Sequence, residues 1–173
     1  MQPVLETERI RLCNWSMADI ADLYSICADP QVMRFVGSGD PWSEERTRAF
    51  LAGEIQNAQQ HGYCRWALHH KGDARLIGFT GFVPHSAGVE IGWRLSRDYW
   101  GRGLATEAAR QAVHYAFETL KVAHITATVQ LGNQASIRVI EKIGLRQESQ
   151  SNAGPGHLLR FSKAAPNPSA KQQ

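Results

Sequence analysis

The run Trp100-Gly101-Arg102-Gly103-Leu104-Ala105-Thr106-Glu107-Ala108 constrains this chain most, because it sets a glycine-punctuated turn between an apolar strand and an amphipathic helix. The first turn of any helix carries backbone N–H groups without intrahelical partners, and with the aligned peptide dipoles they attract anionic oxygens. Gly101 and Gly103 have no Cβ to shield those amides and tolerate dihedrals that other residues avoid, while small Ala105 and Thr106 keep the approach open. The segment Gly101, Arg102, Gly103, Leu104, Ala105 and Thr106 therefore reads as a pyrophosphate cradle. The competing reading is an ordinary strand-to-helix turn, which glycines also mark.

After the loop, Leu104, Ala105, Ala108, Ala112, Val113, Ala116, Phe117 and Leu120 recur at helical steps and give one long helix with a small-residue apolar face. Upstream, Arg9-Ile10-Arg11-Leu12 alternates as a first strand, and Met17 to about Cys27 has helical spacing that Asp29-Pro30 closes. Ser43 before Glu44 and Glu45 opens a second helix that runs to about Gln60 and ends at Gly62. Cys64 to His69, Leu76 to Phe82 and Val89 to Leu95 form an antiparallel meander. Downstream, Ala123 to Val129 reads as a buried strand, Gln134 to Ile143 as a helix ending at Gly144, and His157 to Ser162 as a short last strand. Between the last two lies Gln147 to Gly156, expected to be a polar connector. The order implies an α/β (α+β) fold, a mixed and mostly antiparallel sheet with helices on its faces. The long helix crosses between neighbouring parallel strands.

At 173 residues with 43% apolar content the chain suits one domain, expected over residues 1–162. Residues 163–173 are expected to form a disordered tail, since Pro166 and Pro168 stand there without an apolar period. The 19 basic and 16 acidic residues are too evenly balanced for a nucleic-acid groove or a membrane patch, yet suit a modestly anionic ligand. No apolar run or leader marks a membrane span or export, so a cytoplasmic protein is expected. Cys13, Cys27 and Cys64 are far apart and read as packing thiols, and the scattered histidines imply no metal.

The element order and the motifs together resemble the GNAT superfamily of acetyl-CoA-dependent N-acetyltransferases, specifically its RimJ/RimL-like branch. The likeness runs from about Leu5 to Arg146 and is anchored by Glu6 to Leu12, Glu90-Ile91-Gly92-Trp93, Tyr99 to Ala108, Asn133 to Ser136 and Glu141 to Leu145. Trp100 stands where the superfamily pattern has Arg or Gln, a departure that looks typical of this branch. The resemblance implies a splay between the strands flanking the long helix, filled by the pantetheine arm of acetyl-CoA as an added strand. It further implies that the Leu95 backbone receives the arm, that the Gly101 to Thr106 amides receive the pyrophosphate, and that Asn133 reaches the arm from the facing helix.

Acetyl transfer to an amine needs a neutral nucleophile, oxyanion donors and stabilisation of the departing thiolate. Glu90 is the best-placed base, on the strand leading to the glycine loop with Gly92 and Arg94 next on its face. The alternative is an ordinary half-exposed glutamate. Ser136 is, by family resemblance, the group that stabilises the sulfur, against a plain helix-surface serine. Asn133 is equally suited to capping the helix that begins at Gln134, and both roles are compatible. Oxyanion donors come from strand N–H groups alone. Tyr24, Phe35, Trp42 and Trp66 are aromatics of the kind that line an acceptor pocket, but more often such residues are core.

The expected activity is therefore transfer of acetyl from acetyl-CoA to a primary amine, a protein N-terminus or a small molecule, by direct attack in a ternary complex. The protein is expected to act as a monomer or homodimer. The alternative is a catalytically silent acyl-CoA-binding regulatory module that keeps the cradle and dispenses with Glu90 and Ser136.

Overall fold

One sheet forms, and its eight strands, among the described residues, lie in the order β1-β2-β3-β4-β5-β6-β8-β7. The structure is a computed structural model that describes residues 2–86, 88–151 and 157–166. The strands are β1 (Leu5–Glu6), β2 (Ile10–Cys13), β3 (Arg65–His70), β4 (Leu76–His85), β5 (Gly88–Leu95), β6 (His124–Gln130), β7 (Arg146–Ser151) and β8 (Leu158–Ala164). The helices are α1 (Ile20–Cys27), α2 (Pro30–Met33), α3 (Glu44–His61), α4 (Leu104–Glu118) and α5 (Gln134–Lys142). Neighbouring strands are antiparallel except β5 and β6, which are parallel and joined across α4. The expected mixed, mostly antiparallel sheet is what forms.

Local chemistry sets the helix ends. Ser43 Oγ accepts the Arg46 N–H at 3.1 Å to open α3, and Gly62 closes it at φ 74°. Adjacent residues of β3 show that helices cover both faces, since side chains alternate along a strand. Arg65 meets Glu54 and Phe50 of α3, whereas Trp66 meets Tyr115 of α4 at 5.7 Å. The fully buried Ala108, Ala109, Ala112 and Ala116 let α4 lie close on the sheet against Trp66 and Phe82, which themselves meet edge to face.

Three expectations change. The run Gln147 to Gly156 is not all connector, because Arg146–Ser151 pairs with β8 as an edge strand. Its sequence, RQESQS, carries no apolar residue. Backbone pairing and a hydrogen bond from the Ser162 hydroxyl to the Glu148 carboxylate hold it, so hydrophobic pattern is silent there. The last strand is longer than expected and continues through Ala164, beyond the 162 boundary. Leu5–Glu6 adds an unanticipated edge strand paired with Arg11 and Leu12. Residues 152–156 of the expected connector and 167–173 of the expected 163–173 tail lie outside the described residues.

The contact between β5 and β6 is short. Only Val89 with Ile125 and Glu90 with Thr126 are paired, after which the two strands part. Gly88 stands where that contact begins, and a Cβ there would lie 2.3 Å from the His124 carbonyl oxygen. Only glycine lets the strands approach closely at this end while they diverge at the other.

Candidate active site

The divergence after Glu90 leaves main-chain groups of β5 without strand partners. Ladder bonds in an antiparallel pair alternate between the two sides of a strand, and the Ser96 N–H donates to Ile77 on β4 at 2.8 Å. Counting back through the register of β4 and β5, the N–H and C=O groups of Leu95, Trp93 and Ile91 face the gap rather than β4. The backbone edge expected to take an extended arm is therefore present. Its last carbonyl has one bond already, for the Trp100 indole N–H donates to Leu95 O at 2.8 Å. Trp100 thus ties the glycine loop back onto the end of β5, a structural use for the residue that departs from the superfamily pattern.

Beyond Leu95 the chain makes a single 3-10 turn, Arg97–Tyr99, and then the glycine loop. Gly101 and Gly103 have φ of 70° and 77°, so both glycines are required by conformation. A Cβ on Gly101 would meet nothing within 4 Å, which leaves the space over the loop open. Gly103 caps α4 without any side-chain hydrogen bond, and the first helical bond is from the Glu107 N–H to Gly103 O at 3.0 Å. Among the described residues the N–H groups of Leu104, Ala105 and Thr106 therefore have no acceptor. Arg102 lies exposed with its guanidinium 5.1 Å from the Tyr99 ring centre.

The loop is braced from two sides. Glu107, in the first turn of α4, accepts from the Thr7 hydroxyl at 2.6 Å and from the Arg9 N–H at 2.9 Å, and pairs with the Arg9 guanidinium at 2.6 Å. Arg9 Nη1 also donates to Arg102 O at 3.0 Å. Partial burial pushes the Glu107 carboxyl up, but the bonds from Thr7 and Arg9 outweigh it and hold the group below the ordinary glutamate value. On the other side the Tyr99 hydroxyl donates to Asp73 at 2.6 Å. That bond, with help from Arg75 N–H and His70, draws the Asp73 carboxyl down to about 2. The opening Glu-Thr-Glu-Arg motif thus serves to fix the loop; the motif stands out as a string of residues, but its partner lies 98 residues away and leaves no local mark.

Glu90, Ser136 and Asn133 meet in one cavity of about 530 Å³ that runs through the gap between β5 and β6. Glu90 stands at the fork, the last β5 residue still paired with β6. Ser136 and Asn133 come from α5 on the far wall. Asn133 caps that helix, its Oδ1 accepting the Ser136 N–H at 3.2 Å, which leaves the amide NH2 for the cavity. Leu95 and the glycine loop are not in the cavity wall; Leu95 ends β5, about 17 Å from Glu90 by strand rise, and the loop follows beyond the 3-10 turn. Of the four candidate aromatics, Phe35 lines the cavity, Trp66 is buried against α4, Trp42 is buried, and Tyr24 is exposed elsewhere.

Two cationic side chains at the cavity are site residues that sequence reasoning misses. Arg65 is held by Glu54, whose carboxylate accepts its N–H at 2.7 Å and its Nε at 2.9 Å. Arg94, on the same face of β5 as Glu90, is 8% exposed and lies 4.2 Å from the Trp42 ring centre. The alternation Glu90, Gly92, Arg94 is the available signal, but nothing in that pattern marks the arginine as buried. Among the described residues no three His, Cys, Asp or Glu side chains gather as a metal site, and no helix is long and apolar enough to cross a membrane.

The family model of the GNAT acetyltransferase domain matches residues 9–146. The protein YkkB of Bacillus subtilis strain 168 is 35% identical over 147 residues, covering 82% of this chain and 84% of its own. A GNAT-family acetyltransferase of Bacillus anthracis has the same fold, with a TM-score of 0.83 and 25% identity over 93% of this chain and 98% of that one. RimL, a ribosomal L7/L12 alpha-N-protein acetyltransferase solved in complex with coenzyme A, shares the fold at a TM-score of 0.78 and 16% identity, over 94% of this chain and 98% of its own.

Proposed function

The chain belongs to the GNAT family of acetyltransferases, and from that premise we propose that it moves acetyl from acetyl-CoA to a primary amine by direct attack in a ternary complex. The observation that carries this reading is the fork after Glu90, where β5 parts from β6 beside a cavity, and the same strand leads on to a helix start with unpartnered donors. In this reading the N–H groups from Gly101 to Thr106, with Arg102 beside them, hold the pyrophosphate. The free edge from Ile91 to Leu95 pairs with the pantetheine amides, and the Asn133 NH2 holds the arm from the opposite wall.

The thioester then lies at the fork beside Glu90 and Ser136. The amine nitrogen attacks the thioester carbonyl carbon, the new C–N bond forms, and the C–S bond breaks. The proton lost by the nitrogen passes to Glu90, through water, and the sulfur leaves as thiolate with the Ser136 hydroxyl donating to it. Magnitudes rank these roles. An α-amino group with a pKa near ~7.7 to 8.0 is about one-tenth neutral at pH 7, whereas a lysine near ~10.4 is neutral less than once per thousand, so the base matters more for lysine. A thiol near ~8.5 leaves without a strong acid, and a hydroxyl suffices. Protein N-termini and small amines are the acceptors that fit this chemistry, in the cytoplasm where acetyl-CoA is formed and used.

The test is a side-by-side screen of peptide N-termini, lysine peptides, polyamines, aminoglycosides and amino acids with acetyl-CoA, read by free-thiol release. Release that depends on an added amine is the expected result. Binding of acetyl-CoA with no release for any amine would instead make the chain a silent acyl-CoA-binding module.

A further inference from the structure

Among the described residues Arg94 is a buried cation without a counter-ion. Its Nη1 donates to Cys27 Sγ at 3.1 Å, its Nε has no hydrogen-bond partner among the described residues, and its guanidinium lies 4.2 and 5.1 Å from the Trp42 and Phe79 ring centres. Among the described residues no carboxylate pairs with it, whereas the neighbouring Arg65 is neutralised by Glu54 at 2.5 Å. Burial pushes the Cys27 thiol up, so that sulfur is a neutral acceptor and not a balancing anion. An arginine does not relieve burial by giving up its proton, as a lysine does. Aromatic faces stabilise the guanidinium but leave its charge uncancelled.

The place of this charge gives it a use. Arg94 borders the same cavity as Glu90, four residues along one strand face with Gly92 between them. Gly92 has almost nothing against the position of a Cβ, the nearest atom being Arg65 Cδ at 4.0 Å, so the floor between the two charged residues is clear. The diphosphate of the coenzyme is already accounted for at the glycine loop.

We propose that the acceptor is an amino carboxylate, a small molecule bearing both the reacting amine and a carboxylate, and that Arg94 binds the carboxylate while the amine faces Glu90. This rests on the acetyl-transfer reading above and narrows it from amines in general to amines with an anionic handle. Electrostatic complementarity supports both ends: Glu90 attracts the ammonium form on entry, and Arg94 fixes the opposite end. A neutral isostere leaves the buried guanidinium unpaired, which is the situation in which a polar site discriminates most strongly.

The experiment compares matched acceptors, methionine against methioninamide and 6-aminohexanoate against 6-aminohexanamide, by thiol release with saturating acetyl-CoA. Wild-type protein is expected to show kcat/KM at least tenfold higher for the carboxylate in one or both pairs. In Arg94→Met the ratio within that pair falls to near one, and in Arg94→Lys it is partly retained; using the ratio cancels any general loss from altered packing. Should Arg94→Met not fold, the wild-type and Arg94→Lys ratios decide. Amides turned over as well as their acids in both pairs would overturn the inference and leave acetyl transfer standing. A preference that survives in Arg94→Met would also overturn it. An Arg94→Met effect confined to the acetyl-CoA KM would assign the charge to the coenzyme and overturn it too. Failure of every amine, with acetyl-CoA bound, would remove the transfer reading and this one with it.

Discussion

Glu90 and Asn133 carry the most separable tests among single residues. Glu90→Gln keeps size and strand pairing and removes only the capacity to take a proton. Turnover at saturating acetyl-CoA is expected to fall about 10²-fold at pH 7, within the usual range for a general base. The deficit shrinks as pH rises toward and past the pKa of the amine, because the neutral nucleophile then forms without help. A pH–rate profile checks this, and a parallel, pH-independent loss would mean that Glu90 only shapes the cavity. Asn133→Ala is expected to raise the acetyl-CoA KM more than it lowers kcat, and to cost about 1 kcal/mol of stability through the lost cap. Steady-state kinetics beside a melting curve separate the two effects. Equal changes in KM and kcat would argue against a role in holding the arm.

At the scale of elements, the first turn of α4 and the β1–β2 corner form one unit through Glu107, Thr7 and Arg9. The Glu107 carboxyl titrates below its unfolded value, so its stabilising contribution is present above that value and is lost as pH falls through the folded one. Asp73, drawn down to about 2 by Tyr99, follows the same sign at lower pH. The melting temperature is expected to fall from about pH 4.5 downward. Glu107→Gln lowers it at neutral pH and flattens the first part of that acid slope, as thermal melts across pH will show. It also weakens acetyl-CoA binding, because the loop amides lose their brace; unchanged affinity would detach the brace from the site. Helical periodicity makes α1, α3 and α4 legible in the order of the amino acids, because each buries one face, whereas the central strands are legible as apolar runs because helices cover them on both sides. Hydrophobic pattern misses β7, whose residues are all polar, and β1, which is two residues long. It also misses the loop's braces, since a hydrogen bond between residues far apart in sequence leaves no local trace.

For the whole molecule, one asymmetry organises the rest. The sheet is closed at Gly88 and open beyond Glu90, and the opening is lined on one side by unpaired backbone of β5 and on the other by β6 and α5. The glycine loop, Glu90, Asn133 and Ser136 can each be named from sequence, but only the fold shows that Glu90 stands at the fork and shares a cavity with the other two side chains. Arg94 is visible as a letter and invisible as a buried charge, because burial depends on Trp42 and Phe79, which arrive from other elements. The most direct test of the account is a calorimetric titration of the folded protein with acetyl-CoA and, separately, with acetyl-pantetheine, which lacks the diphosphate and nucleoside. The account predicts one-to-one binding of acetyl-CoA and an affinity at least 10²-fold weaker for acetyl-pantetheine. No detectable heat or competition with acetyl-CoA, or equal affinity for the two, would contradict a diphosphate held by the amides from Gly101 to Thr106.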